Sequence, residues 1–161
     1  MSVKTQGTEL YVVDPANDAI IKVTCPTAIT GLTGSRTQVD DSCLEDIAAS
    51  FIGGRVQPGT MAVPINTDPA EPSHVRLHEI FRSGEKFNFA IGWGDFTGGV
   101  APGPVPTGLD SAGEFIFPST RSWLSGNAYV ADYDFNFNAD DIVRSTVTFQ
   151  LSGFPEWEPK A

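Results

Sequence analysis

A chain of 161 residues, 40% of them apolar and 19% charged, has the make-up of one globular domain that needs no disulfide or metal staple. Twenty acidic residues against ten basic leave a net charge of −10, with no run of Lys or Arg anywhere. That field argues against a protein that grips DNA or an anionic membrane, and no stretch approaches the ~20 apolar residues of a membrane span.

The chain begins with a polar arm, Met1 to Gly7, that carries no secretory signal, so synthesis in the cytoplasm is expected. Thr8 to Val13 and Ala19 to Thr24 are short apolar runs around Asp14-Pro15-Ala16-Asn17-Asp18, whose turn chemistry predicts a hairpin. Residues 26–54 lack long periodicity and read as a long acidic loop holding Asp40-Asp41-Ser42-Cys43-Leu44-Glu45-Asp46. Cys25 and Cys43 are the only cysteines; without Cys-x-x-Cys or Cys/His spacing they read as small core residues, and their redox state stays open. Arg55 to Asn66 alternates again, and Pro64 places it at an edge or a strand end.

Pro69-Ala70-Glu71-Pro72-Ser73 opens one helix that runs to about Ser83 and stops at Gly84, with Leu77, Ile80 and Phe81 on one face. Lys86 to Trp93 alternates as a strand, residues 94–113 form a Gly/Pro-rich loop, and Glu114 to Pro118 is a short strand. The strongest pattern spans Asn127 to Ser152. Tyr129, Ala131, Tyr133, Phe135 and Phe137 share one parity, while Asp132, Asp134, Asn136 and Asn138 share the other. After a break at Ala139 to Ile142, Val143, Val147, Phe149 and Leu151 alternate with Arg144, Thr146, Thr148, Gln150 and Ser152. Two half-buried strands joined by a polar break form a long hairpin with a polar face. Residues 153–161 read as an irregular tail. The expected fold is mainly β: an antiparallel sandwich or partly open barrel, one flanking helix and two long loops, in a single domain over 1–161.

Constellations that carry chemistry are weak. His74 and His78 stand at i and i+4 on one helix, but Val75 occupies the place where a metalloprotease helix carries its general base. Asp132 with Asp134, Asp140 with Asp141 and Asp40 with Asp41 are carboxylate pairs on open polar stretches, without the burial that raises one pKa for glycosidic acid catalysis. The acidic run 39–46 lacks the ligand spacing of a calcium loop. No nucleophile elbow or phosphate-binding glycine motif is present. The expectation is a non-enzyme with no cofactor and no metal.

Taken in order, these pieces resemble the tail tube (major tail) protein family of long non-contractile-tailed bacteriophages. The likeness rests on Gly7-Thr8-Glu9-Leu10-Tyr11-Val12, the acidic cluster 40–46, the strand 87–93, and Tyr129-Val130-Ala131-Asp132-Tyr133 through Asp140-Asp141-Ile142-Val143-Arg144-Ser145-Thr146-Val147-Thr148-Phe149. It implies subunits that close into hexameric rings and stack into a tube within the virion, with tape-measure, terminator and tail-tip proteins as partners. DNA would pass through without specific binding. On that reading Asp132, Asp134, Asn136, Asn138, Thr146, Thr148 and Gln150 face the lumen, and Asp40, Asp41, Leu44, Glu45 and Asp46 contact the next ring. Arg144 is expected to pair with an acidic neighbour. Two rival readings stand beside it: a carbohydrate-binding β-sandwich using Trp93, Trp123 and Trp157, and a single-ring tail adaptor or terminator.

Overall fold

The alternation in the last third of the chain builds the centre of the sheet. In a computed structural model describing all 161 residues, Arg144–Glu158 and Trp123–Tyr133 pair antiparallel through registers such as Val147 opposite Tyr133 and Leu151 opposite Ala128. In chain order the elements are β1 Glu9–Val13, β2 Ile20–Val23, β3 Gly34–Asp40, β4 Phe51–Pro58, β5 Thr60–Asn66, α1 Pro72–Ser83, β6 Phe87–Gly92, β7 Gly108–Leu109, β8 Phe115–Ile116, β9 Trp123–Tyr133 and β10 Arg144–Glu158. Six strands form one antiparallel sheet, ordered β2-β1-β6-β9-β10-β5 and curled into a half-barrel. The chain leaving β2 turns at Cys25, which has φ 58°, and crosses to the far edge. There Thr27 N–H donates to Pro64 O at 2.9 Å and Thr30 N–H to Ala62 O at 3.0 Å, so this segment covers the open flank of β5. The mainly-β expectation with a single helix holds.

One face of this sheet carries the core. Ser145, Val147, Phe149 and Leu151 of β10, Met61, Val63 and Ile65 of β5, Phe87, Phe89 and Ile91 of β6, and Leu10 and Val12 of β1 are buried there, in strict alternation along β5 and the first half of β10. Helix α1 lies over them, with Leu77 and Ile80 facing in. It ends where Gly84 takes φ 70° and donates its N–H to Ile80 O at 3.1 Å. Arg76 ties the helix to the β1 end by a two-pronged contact to Asp14, at 2.6 and 2.7 Å. A second, smaller cluster of Tyr11, Val13, Ala90, Phe115 and Trp123 lies on the other face of β1 and β6, beneath β7 and β8.

Four expectations are corrected. The parity of 129–137 is broken by a bulge: Thr148 pairs with Asp132 but Phe149 pairs with Val130, so Ala131 has no partner. A bulge sets two residues against one and reverses the alternation beyond it. Ala128, Val130 and Tyr133 are therefore the buried residues, whereas Tyr129 is half-buried and Ala131 exposed. Residues 26–54 are not a loop; most of the stretch is an extended arm, β3 paired with β4, that standard alternation fails to reveal because neither of its faces is buried in this chain. The tail 153–161 is not irregular to Glu158, because β10 resumes after a register shift and pairs Glu156, Trp157 and Glu158 with Ser125, Leu124 and Trp123. The cysteines are exposed, one at the positive-φ turn and the other at the arm tip, so neither packs in the core.

Candidate functional site

The polar positions of β9 and β10 come together on the face opposite the core. Asp132 lies across from Thr148, and Gln150 lies across from Tyr129. Asp134 continues the ladder beyond the strand end: its Oδ1 accepts the Thr146 N–H at 2.7 Å, and its own N–H donates to Thr146 O at 3.3 Å. Asn136 and Arg144 exchange both backbone hydrogen bonds, at 2.8 and 3.3 Å. Asn138 lies past this bridge in the exposed turn and is not brought to the face. Arg144 Nη2 sits 3.3 Å from Asp141 Oδ1, which is the local pairing expected of it.

The same surface extends over strands that the periodicity did not connect. Asn127 Nδ2 donates to Asn88 Oδ1 at 2.9 Å across β9 and β6, and Thr60 flanks Gln150 across β5 and β10. Asn88, Ser125, Asn127 and Ser152 line an open hollow of about 450 Å³ whose rim carries Glu114, Glu156 and Glu158. No cation lines it. Asn88 and Asn127 each sit at a polar position of an alternating run, which is the signal that could have found them. Only the register shows that they touch.

The arm carries the second group of singled-out residues. Asp40, Asp41, Leu44, Glu45 and Asp46 are all exposed at its tip. Part of the acidity is used to fold the turn: Ser42 N–H donates to Asp40 Oδ1 at 2.9 Å, and Cys43 N–H to Asp46 Oδ2 at 2.7 Å. The hydrogen bonds from Ser42 hold the Asp40 carboxyl below its ordinary range. Leu44 and Ile47 then project at 107% and 105% exposure, flanked by exposed Val39, Phe51 and Ile52. Apolar side chains extended this far into water mark a surface that meets something.

The histidines serve packing. His74 is buried, accepts the Asp68 N–H on Nδ1 at 3.1 Å and donates from Nε2 to Thr24 O at 2.6 Å. His78 lies edge-on to Tyr133 at 5.2 Å and beside Phe135 at 5.7 Å. No three His, Cys, Asp or Glu side chains converge as a ligand set.

The sequence reading missed Arg121 altogether. It is 1% exposed and makes a fan of bonds: Nη1 to Glu9 Oε2 at 2.7 Å and Pro104 O at 2.9 Å, Nη2 to Gly7 O and Gly92 O at 2.8 Å each, Nε to Trp93 O at 2.7 Å. Its guanidinium also lies over Phe96 and Trp123. Gly92 must be glycine, since a Cβ there would meet the Arg121 guanidinium carbon at 2.5 Å. One cation thus fastens the N-terminal arm, the end of β6 and the Gly/Pro loop to one another. An isolated Arg in a polar stretch and a Glu opening an apolar strand gave the only hint.

Glu9 also accepts from Lys22, from Tyr11 Oη at 3.0 Å and from Gly103 N–H at 3.3 Å. Burial works to raise its pKa, but the hydrogen bonds from Lys22, Arg121 and Tyr11 outweigh it and hold the carboxyl below its usual range. Burial pushes the Tyr11 phenol up to about 12, with the Glu9 charge adding to the rise. Asp14, bonded by Arg76, and Asp95, where Ser122 outweighs burial, are also lowered. All three carboxyls titrate lower in the folded than in the unfolded chain. The stability they contribute is complete above the ordinary carboxyl range and is lost as pH falls through the folded values. Calorimetric melts should give a steady Tm near neutral pH and a falling one below about pH 4; a Tm that rises on acidification would contradict the assignment.

The family described as phage tail tube, lambda-like, matches residues 1–161. Structural protein 3 of Pseudomonas phage PAJU2 is 38% identical over 99% of this chain and 95% of its own length. Among solved structures, the SPP1 tail tube superposes with a TM-score of 0.69 at 9% identity, covering 98% of this chain and 81% of that one. The tail of an empty gene transfer agent particle gives 0.66 at 12% identity, over 98% and 99%. The tube of the PVC extracellular contractile injection system, in its sheath–tube complex, gives 0.66 at 14% identity, over 98% and 92%. At such identities these structures speak for the fold, while the family match and the phage relative speak for kinship. The chain belongs to the lambda-like phage tail tube family, whose members are structural proteins of phage tails.

Proposed function

We propose that copies of this chain close into six-membered rings, that the rings stack into a tube in the virion, and that the polar face of β5, β9 and β10 lines its lumen as a conduit for DNA. The observation that carries the reading is that face itself: a surface of Asp132, Asp134, Asn136, Thr146, Thr148 and Gln150, exposed or half-buried and backed by a largely apolar core. Such a wall carries hydroxyls, amides and carboxylates, and its Arg144 is paired with Asp141, so it repels or ignores a polyanion instead of holding it. Half-barrels joined edge to edge into one barrel would also remove the exposed flank of β2. The sixfold symmetry named for the gene transfer agent tail supports the ring number.

The rival carbohydrate reading finds less support. Trp123 is buried and Trp93 and Trp157 stack on one another at 5.6 Å with 8° between planes, which leaves the outer face of exposed Trp157 as the one aromatic surface for a sugar.

Electron microscopy of the purified protein tests the assembly, with tubes expected and isolated monomers at all concentrations counting against it. The lumen assignment has its own test. Phage carrying Asp132→Lys with Thr148→Lys should assemble tails of normal length but eject DNA more slowly, with recovery at high salt, because twelve added cations per six-membered ring would hold phosphates. A density map placing Thr148 on the outer wall would overturn it.

A further inference from the structure

The arm and a second apolar surface lie at opposite ends of one strand ladder. The arm joins β5 through Gly59 at the Thr60 end, where Thr60 pairs with Gln150. At the other end Asn66 pairs with Arg144, which is bridged to Asn136. There the connection from β9 to β10 exposes Phe135, Phe137 and Ile142; the Phe rings stack 6.4 Å apart, and Phe137 is 76% exposed. His78 of the helix supports the stack from below, at 5.7 Å from Phe135. A long polar-rimmed turn has no folding reason to hold two stacked phenylalanines in water.

We propose that the tip of the arm, through Leu44 and Ile47, seats on the Phe135–Phe137–Ile142 surface of a second copy stacked end to end. The inference rests on the tube reading above and names the receiving surface that the reading leaves open. Three observations favour a second copy over any other occupant. Donor and acceptor lie at opposite ends of the same ladder, so a tip cannot reach the surface in its own chain, yet a copy displaced along the strands presents it directly. A contact between two different surfaces of one molecule does not close on itself and generates a repeating stack. The tip also carries Asp40, Asp41, Glu45 and Asp46 with no cation between Arg36 and Arg55. At the receiving end Arg144 is already paired with Asp141, while exposed Arg82 stands one helical turn beyond His78. Asp140 and Asp141 share the tip's sign, so burial of apolar surface has to carry the contact. A pair of Phe rings offers ~150–250 Å² each, well short of the ~1,200–2,000 Å² of a free-standing interface. Repetition around a ring supplies the remainder, because the copies bind together.

The test uses the full chain with Cys25→Ser and Cys43→Ser, both exposed positions, as a cysteine-free parent. Adding Leu44→Cys and Phe137→Cys, then oxidising assembled tubes, is expected to give a ladder of disulfide-linked multimers on a non-reducing gel. Leu44→Cys with Ile29→Cys, which lies in an apolar groove near the root of the arm, serves as the competing pair. A ladder only from the competing pair overturns the proposal, as do intact tubes with no ladder from Leu44 and Phe137. A second measurement stands independently of the parent: Phe137→Asp in the native chain should raise the critical concentration for tubes at least tenfold while leaving the monomer's melt unchanged. Tubes at the native concentration overturn the inference alone. A native chain that never polymerises overturns the tube reading with it.

Discussion

Replacing Arg121 with methionine is expected to destabilise the folded monomer by about 3–5 kcal/mol, the largest effect of any single substitution outside the hydrophobic core. The cause lies in what the change leaves behind. Glu9, itself buried, would lose its closest guanidinium partner and depend on Lys22, Tyr11 and the Gly103 N–H. The carbonyls of Gly7, Gly92, Trp93 and Pro104 would lose a common donor. Methionine fills much of the volume but offers none of these bonds, and unmade buried bonds cost more than made ones return. For a chain of this size the loss corresponds to a Tm drop on the order of 6–20 °C. Chemical denaturation of the monomer measures it. The double variant Arg121→Met with Glu9→Gln should recover part of the loss, since no uncompensated charge then remains buried. A loss below about 1 kcal/mol for the single variant would show that the node is not a structural clamp.

Leu44→Asp combined with Ile47→Asp should do the reverse: leave the monomer intact and stop the tube. Both side chains are fully exposed in the folded chain, so its melting point has no reason to move. If the tip seats against the next ring, two aliphatic side chains worth roughly 1.5–3 kcal/mol each on burial are lost from every subunit. That is a loss of about 3–6 kcal/mol per contact, or two to four orders of magnitude in critical concentration. Sedimentation of the protein over a concentration series reads it directly. Tubes of normal length forming at the native concentration would remove the arm tip from the contact between rings.

How much could be read in advance depends on where each residue's partner lies along the chain. The helix was legible because Pro72, Leu77, Ile80 and Gly84 carry its start, its buried stripe and its stop within one local stretch. Strand β10 was legible over 144–152 because one of its faces is buried at every second residue. The arm was hidden for the converse reason. Both faces of β3 are exposed in this chain, and alternation appears only where burial selects for it. The bulge at Ala131 was hidden too, because it is a property of the pairing with β10 and of no residue in β9. Asp132, Asp134, Asn136, Thr146, Thr148 and Gln150 were recognised as one polar surface, yet Asn138 was grouped with them by a parity that runs past the last backbone pairing, at Asn136 and Arg144.

By itself, then, the amino-acid order determined the strand-rich class, the lone helix, the acidic balance and the run of positions that could form a polar wall. These follow from local periodicity and composition, which need no knowledge of partners. The tertiary structure alone decided that Arg121 and Glu9, 112 residues apart, are one ion pair, that the acidic stretch stands out as an arm, and that the apolar tip and the Phe135–Phe137 stack lie at opposite ends of one ladder. Each of these depends on which residues meet after the sheet has curled, and contacts between distant segments leave no periodic trace in the chain that makes them.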